Sequence, residues 1–275
     1  MGNGDMTVEV QGTPVPALGF GTWLIEGEAA AEGVLDALEI GYRQIDTARA
    51  YGNEREVGRG IRESGVPREE IFLTTKVPHD EATADEVERA AEESLERLGV
   101  DRLDLLLLHW PSADVPLEET LTAMNALRED GRSRHIGVSN FPAGLLAQAL
   151  ELAPVFCDQV EYHPFLDQSR LLALARERDV LITAYSPLAH GRVPRDETLA
   201  RIGGNHGKTA GQVALRWLLD QPGVSPIPKA SSRERRAENF DVFDFTLTGE
   251  ERAEIDELPK NVRTANPSWA PDWDG

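Results

Sequence analysis

Four residues define the chemistry open to this chain: Asp46, Tyr51, Lys76 and His109. The first two lie in GYRQIDTARAYGNEREVG (41–58), where a carboxylate ends a strand-like run and a tyrosine follows five positions on, in a turn closed by Gly52 and Asn53. Lys76 ends the run IFLTTK, and His109 ends LDLLLLH. Buried strands normally end on apolar residues, so an ionisable group there needs a partner or a task. A phenol with its ordinary pKa of ~10 is a poor proton-transfer group at neutral pH. An ammonium beside it stabilises phenolate, and a carboxylate keeps the ammonium fixed and charged. Tyr51 is therefore expected to titrate about two pH units below its ordinary value. His109 would donate a hydrogen bond to a substrate oxygen and orient it. Each residue alone has a plainer reading: a core ion pair, turn packing, a satisfied imidazole. Their joint placement at the ends of successive strands favours a proton-transfer site.

The elements that must position these residues repeat regularly. Strand-like runs occur near 18–22 and at 42–46, 71–76, 103–109, 135–139, 156–161, 180–185 and 224–227, separated by helical patterns such as 28–39 and TADEVERAAEESLERLG. Eight βα units in 275 residues predict a closed (β/α)8 TIM barrel, forming a single domain over 1–275 with its chemistry at the C-terminal ends of the strands. The start VEVQGTPVP reads as a hairpin turning at Gln11 and Gly12, expected to close the barrel bottom. No GxGxxG occurs, which argues against an open dinucleotide-binding sheet.

Charge excludes some partners. With 48 acidic and 28 basic residues the formal net charge is −20, and the lysines are only Lys76, Lys208, Lys229 and Lys260. Such a surface repels nucleic acid and suits solubility at high salt, as in a halophile. No apolar run reaches membrane-spanning length, and the start lacks a basic flank and apolar centre, so a soluble cytoplasmic protein is expected. Cys157 reads as a small core residue, and no Cys/His spacing suggests zinc. A metal-dependent barrel hydrolase would want clustered ligands, whereas the first strand ends in Gly-Thr-Trp without HxH.

The run 41–58, LLLLHWP, GRSRHIGVSNF, QVEYHP (159–164), AYSPLA (184–189) and IPKASSRERRAENF (227–240) together resemble the aldo-keto reductase superfamily over almost the whole chain. The short loops after His109 and Tyr185 are most similar to those of compact prokaryotic members of the 2,5-diketo-D-gluconate reductase type. The resemblance implies an NADPH-dependent reductase of aldehyde or ketone carbonyls, probed against the alternative of a cofactor-binding regulatory protein of the same fold with little turnover. It makes Tyr51 the proton donor, Lys76 and Asp46 its tuning pair, and His109 the carbonyl-positioning group. It places Ser139 and Asn140 at the nicotinamide carboxamide with Gln159 beside them and Tyr185 under the ring, and counts Gly21, Thr22, Asp46, Ser186 and Leu188 among the cofactor contacts. It implies Lys229 and Arg235 at the 2′-phosphate, with either Ser231 or Ser232 as a further hydroxyl contact there, and Glu238 and Asn239 at the adenosine end.

The basic run KASSRERR (229–236), set in a strongly acidic chain just after strand eight, is independently what a polyanionic cofactor needs. Ala230 replaces the usual serine, which opens the way to NADH as well as NADPH. Trp23 and Trp110 are expected to flank the substrate, with Trp269 or Trp273 either covering it or capping the barrel. His79 and His163 carry no assigned role. A small carbonyl compound is the expected partner of a monomeric protein.

Overall fold

Parallel strands buried on both faces read as unbroken apolar runs, and LDLLLL is the plainest case. It forms β6 (Leu103–Leu108), entirely buried. The computed structural model describes residues 7–273; residues 1–6 and 274–275 of the expected 1–275 domain lie outside the described residues. In chain order, β3 (Gly19–Gly21), β4 (Gln44–Asp46), β5 (Phe72–Val77), β6, β7 (Ser133–Ser139), β8 (Val155–Glu161), β9 (Leu181–Tyr185) and β10 (Val224–Pro226) form one eight-stranded sheet. Every adjacent pair is parallel. The sheet curls into the predicted barrel, and its first and last strands meet where Gly21 N donates to Pro228 O at 3.2 Å. Below that seam, Ser225 Oγ donates to Gln44 Oε1 at 2.9 Å.

A helix follows each strand. Among them are α1 (Glu28–Ile40), α2 (Glu54–Glu63), α3 (Ala84–Leu98), α4 (Leu117–Glu129), α5 (Ala143–Leu152) and α6 (Ser169–Arg178). The seventh unit carries two, α7 (Glu197–His206) and α8 (Ala210–Leu219); after β10 come α9 (Arg233–Phe240), α10 (Gly249–Asp256) and an extended tail. Local signals explain the boundaries. A Thr83–Glu86 capping box starts α3, and Gly99 at φ 68° ends it, a left-handed conformation that glycine adopts without strain. Gly58 lets α2 pack closely on α3, because a Cβ there would sit 2.1 Å from Leu98 O.

The hairpin is β1 (Thr7–Val10) and β2 (Thr13–Pro16), antiparallel, turning at Gln11 and Gly12 as expected. Its Val10 and Val15 pack against Phe72, Leu105, Leu107, Phe156, Cys157 and Leu181 from inside the barrel. That apolar plug closes the lower end, where Ser225 Oγ also lies 3.1 Å from Pro16 O of the hairpin. Among the described residues, no helix is long and apolar enough to cross a membrane, and no three His, Cys, Asp or Glu side chains group as a metal would require.

Candidate active site

Strand direction places the end of β4 beside the end of β5, so Asp46 and Lys76 meet at the upper rim. Lys76 Nζ lies 2.6 Å from Asp46 Oδ1, donates to Thr47 O at 2.8 Å, and reaches Tyr51 OH at 3.4 Å. Tyr51 ends a 3₁₀ turn (Arg49–Tyr51) that Gly52 stops at φ 69°. Asn53 fixes that turn to the first βα loop. It accepts from Thr47 Oγ1 and donates to Thr22 O and Ile25 O. His109 follows β6, and its ring stands edge-on to Tyr51 with centroids 5.7 Å apart. The four residues named from sequence are therefore one cluster.

Its electrostatics differ from expectation in one respect. Burial opposes the Lys76 ammonium, but Asp46 and Tyr51 outweigh it and hold its pKa above the ordinary lysine value. For Tyr51, burial is the strongest influence and raises the pKa; Lys76 pulls it down, and Asp46 adds to the rise. The expected lowering of the phenol is thus corrected. A neighbouring ammonium that is itself neutralised by Asp46 cannot offset desolvation. Tyr51 is a protonated acid at neutral pH. Burial, reinforced by the Lys76 charge, lowers His109 to about 3, so its imidazole is neutral and donates through one ring N–H.

Gln159 was expected only beside Ser139 and Asn140, yet it also donates to Asp46 Oδ2 at 2.7 Å. Asp46 is therefore held from both sides. Asn140 turns the chain out of β7 at φ 65°, a conformation asparagine tolerates. Its Nδ2 donates to His109 O and Ser139 Oγ, and its Oδ1 accepts from Tyr185 OH at 2.7 Å. Ser139 Oγ donates to Gln159 O. These bonds link the ends of β6 to β9 into one polar lattice. Among the described residues nothing donates to Gln159 Oε1, which leaves an acceptor suited to a carboxamide N–H.

Gly21 and Thr22 lie at the β3 end, both buried, with Thr22 Oγ1 donating to Asp46 O at 3.0 Å. Ser186 (φ 48°) pairs with His190 Nε2 at 3.0 Å, and half-buried Leu188 follows. His190 in turn packs on the Trp23 ring, joining the loops after β3 and β9.

The basic run after β10 divides into two pairs. Arg233 and Arg236 are neutralised by α1: Arg236 is buried against Asp36 and Ala230 O, and Arg233 pairs with Asp36 and Glu39. Lys229 and Arg235 are exposed, and among the described residues neither pairs with a carboxylate. Exposed Ser231 Oγ accepts from Lys229 Nζ at 2.9 Å, whereas Ser232 Oγ caps α9 by accepting from Arg235 N. Ala230 is buried at 3%. This donor set fits a phosphate monoester: two free cations, one hydroxyl and a capped helix start. Glu238 is engaged with Thr209 Oγ1, and Asn239 is buried.

Trp23 is exposed at 45%, and Trp110 follows His109 directly. The tail brings Trp273 to 6.2 Å from Trp110 and stacks Trp269 on His79. Beyond the motifs lie the bonds from Asn53 to Thr22 O and Ile25 O, the second role of Gln159, and Glu161. A signal for Glu161 existed: it sits two residues beyond Gln159, on the same strand face, and a buried acid there requires donors.

Residues 17–260 match the Aldo/keto reductase family. The glyoxal reductase of Bacillus subtilis (strain 168) is 43% identical over 255 residues, 92% of each chain. A solved structure provisionally described as 2,5-diketo-D-gluconic acid reductase B superposes with a TM-score of 0.96 at 47% identity, covering 98% of both chains. The Bombyx mori aldo-keto reductase, solved in complex with NADP, gives 0.89 at 34% identity over 97% of both.

Proposed function

The chain belongs to the aldo/keto reductase family and is an NAD(P)H-dependent carbonyl oxidoreductase, and from that premise we propose that Tyr51, Lys76, Asp46 and His109 carry out its chemistry with NADPH as the preferred cofactor. The observation that carries this reading is the Lys76 contact to both Asp46 and Tyr51 at the strand ends.

Bound at this face, the cofactor supplies a hydride for the carbonyl carbon. Tyr51 donates its proton to the carbonyl oxygen, and the phenolate left behind is stabilised by Lys76. Asp46, braced by Gln159, keeps that ammonium in place. Neutral His109 donates a hydrogen bond to the same oxygen and aligns the carbonyl with Tyr51. Tyr185 offers a flat face for the nicotinamide, and Ser139, Asn140 and Gln159 hold its carboxamide. Gly21, Thr22, Ser186 and Leu188 line the path toward the phosphates. Lys229, Ser231 and Arg235 hold the 2′-phosphate, with Ser231 supplying the hydroxyl that Ala230 lacks. Ser232 contributes by capping the helix that presents Arg235. Glu238 and Asn239 border the adenosine.

Small dicarbonyls and keto sugar acids are the substrate classes suggested by the relatives' names. The protein acts as a cytoplasmic monomer whose acidic surface is suited to high salt. The test is a titration with NADPH and NADH by tryptophan fluorescence, followed by NADPH oxidation with glyoxal. Quenching with tighter NADPH binding and turnover is expected. Absence of quenching by both cofactors would overturn the assignment.

A further inference from the structure

Glu161, the last residue of β8, shares its inward face with Cys157 and Gln159. Its side chain is fully buried, and the catalytic cluster does not use it. Instead it gathers donors from the chain's far end. Thr264 N approaches its two oxygens at 2.8 and 3.0 Å, Thr264 Oγ1 donates at 2.6 Å, and Ala265 N donates at 2.9 Å. His163 Nε2 lies 2.9 Å from Oε1. A carboxylate with this many donors is a strong anchor, and the bonds hold its pKa down at about 2 despite burial.

The anchored segment, 261–273, runs over the barrel mouth. It is tethered first by Val262 N donating to Phe165 O at 2.9 Å and by the bridge between Leu166 and Asn261. Past the Glu161 clamp, Trp273 Nε1 donates to Asn266 Oδ1, and the Arg263 guanidinium lies 3.7 Å from the Trp273 ring centroid. Trp273 meets Trp110, and Trp269 stacks on His79 at 5.4 Å. The segment thus spans from β8 to the loops after β5 and β6, next to His109.

We propose that Glu161 is a positioning residue for substrate selection: by clamping Thr264 and Ala265 it fixes Trp269 and Trp273 as walls of the mouth, and so sets affinity for carbonyl compounds large enough to touch them. This rests on the reductase reading of the Tyr51 site. A small dicarbonyl reaches only Tyr51 and His109 and is indifferent to the clamp. A bulky aromatic aldehyde extends to the wall and depends on it.

The test uses the full chain with Glu161→Gln, which turns an acceptor oxygen into an N–H donor facing the tail amides, and Thr264→Val, which removes one donor without changing size. KM and kcat are measured with glyoxal and with 2-naphthaldehyde, and tryptic cleavage after Arg263 is followed by mass spectrometry. For Glu161→Gln, KM for the naphthaldehyde is expected to rise about tenfold, the scale of one charge-assisted hydrogen bond. Thr264→Val gives a smaller rise, and the double variant is no worse than Glu161→Gln alone, since both act through one contact. kcat for glyoxal and KM for NADPH stay within about twofold, and cleavage after Arg263 accelerates in both variants. Equal KM rises for both aldehydes, a changed KM for NADPH, additive effects, or unchanged cleavage would each overturn the proposal. Should Glu161→Gln fail to fold, Thr264→Val alone decides by the same readouts. Failure of the parent chain to reduce either aldehyde counts against the reductase reading, while the cleavage assay still reads the clamp.

Discussion

Replacing Lys76 with methionine removes the charge at the centre of the site while keeping much of the side chain's bulk. Lys76 Nζ lies 3.4 Å from Tyr51 OH. At an effective dielectric of ~20, a unit charge at that distance interacts with phenolate by about 5 kcal/mol. Tyr51 is half-buried, so solvent reaches it and roughly half of that remains. The loss of phenolate stabilisation in the transition state is then about 2.5 kcal/mol, or a fall in kcat of roughly 10²-fold. A structural cost accompanies it. Asp46 keeps Gln159 but loses its counter-ion, and breaking a buried pair this way costs about 3–5 kcal/mol of stability. The assay is kcat with glyoxal at pH 7, with NADPH affinity and the melting temperature measured alongside. Combined with Tyr51→Phe, the Lys76 change should cost little further activity, because tuning an absent acid has no effect. A folded Lys76→Met variant within fivefold of the parent, or a full additional loss in the Tyr51→Phe background, would show that Lys76 does not act through Tyr51.

With Arg235 at the 2′-phosphate as proposed, Arg235→Ala should weaken NADPH about tenfold and NADH less than twofold; equal weakening would remove Arg235 from the phosphate site. Acid stability offers a check far from the chemistry. His135, packed on Phe156 at the barrel floor, is lowered to about 4 by burial first, so the folded state binds fewer protons than the unfolded chain between about pH 6.5 and 4. Its contribution is complete above that window and lost as pH falls through it. His135→Gln should flatten part of the fall in melting temperature there, and an unchanged profile would count against the buried neutral imidazole. The −20 charge predicts that melting temperature rises between about 0.1 and 2 M KCl as repulsion is screened, and a fall would speak against adaptation to high salt.

The positions of the barrel strands were legible because each is a short apolar run bounded by turn residues, and observed ends differ from those expected by only one or two residues, as at β4 and β6. The cluster of Asp46, Tyr51, Lys76 and His109 was legible for a related reason: an ionisable residue at the end of such a run stands out. What stayed hidden depends on residues distant in sequence. Nothing near Arg233 or Arg236 announces Asp36, nearly two hundred positions earlier, which claims half of the basic run. The clamp between Glu161 and Thr264 is equally remote. The sign of the Tyr51 shift was missed because desolvation is set by everything packed around the phenol, whereas only the charged neighbour is visible in the motif.

Whether Tyr51 delivers the proton is decided by comparing Tyr51→Phe with the parent for glyoxal turnover and NADPH binding. Phenylalanine keeps the ring against His109 and removes the donor alone. kcat is predicted to fall by at least roughly 10³-fold while the Kd for NADPH stays within about twofold. A Phe variant that retains turnover within tenfold of the parent would contradict the account.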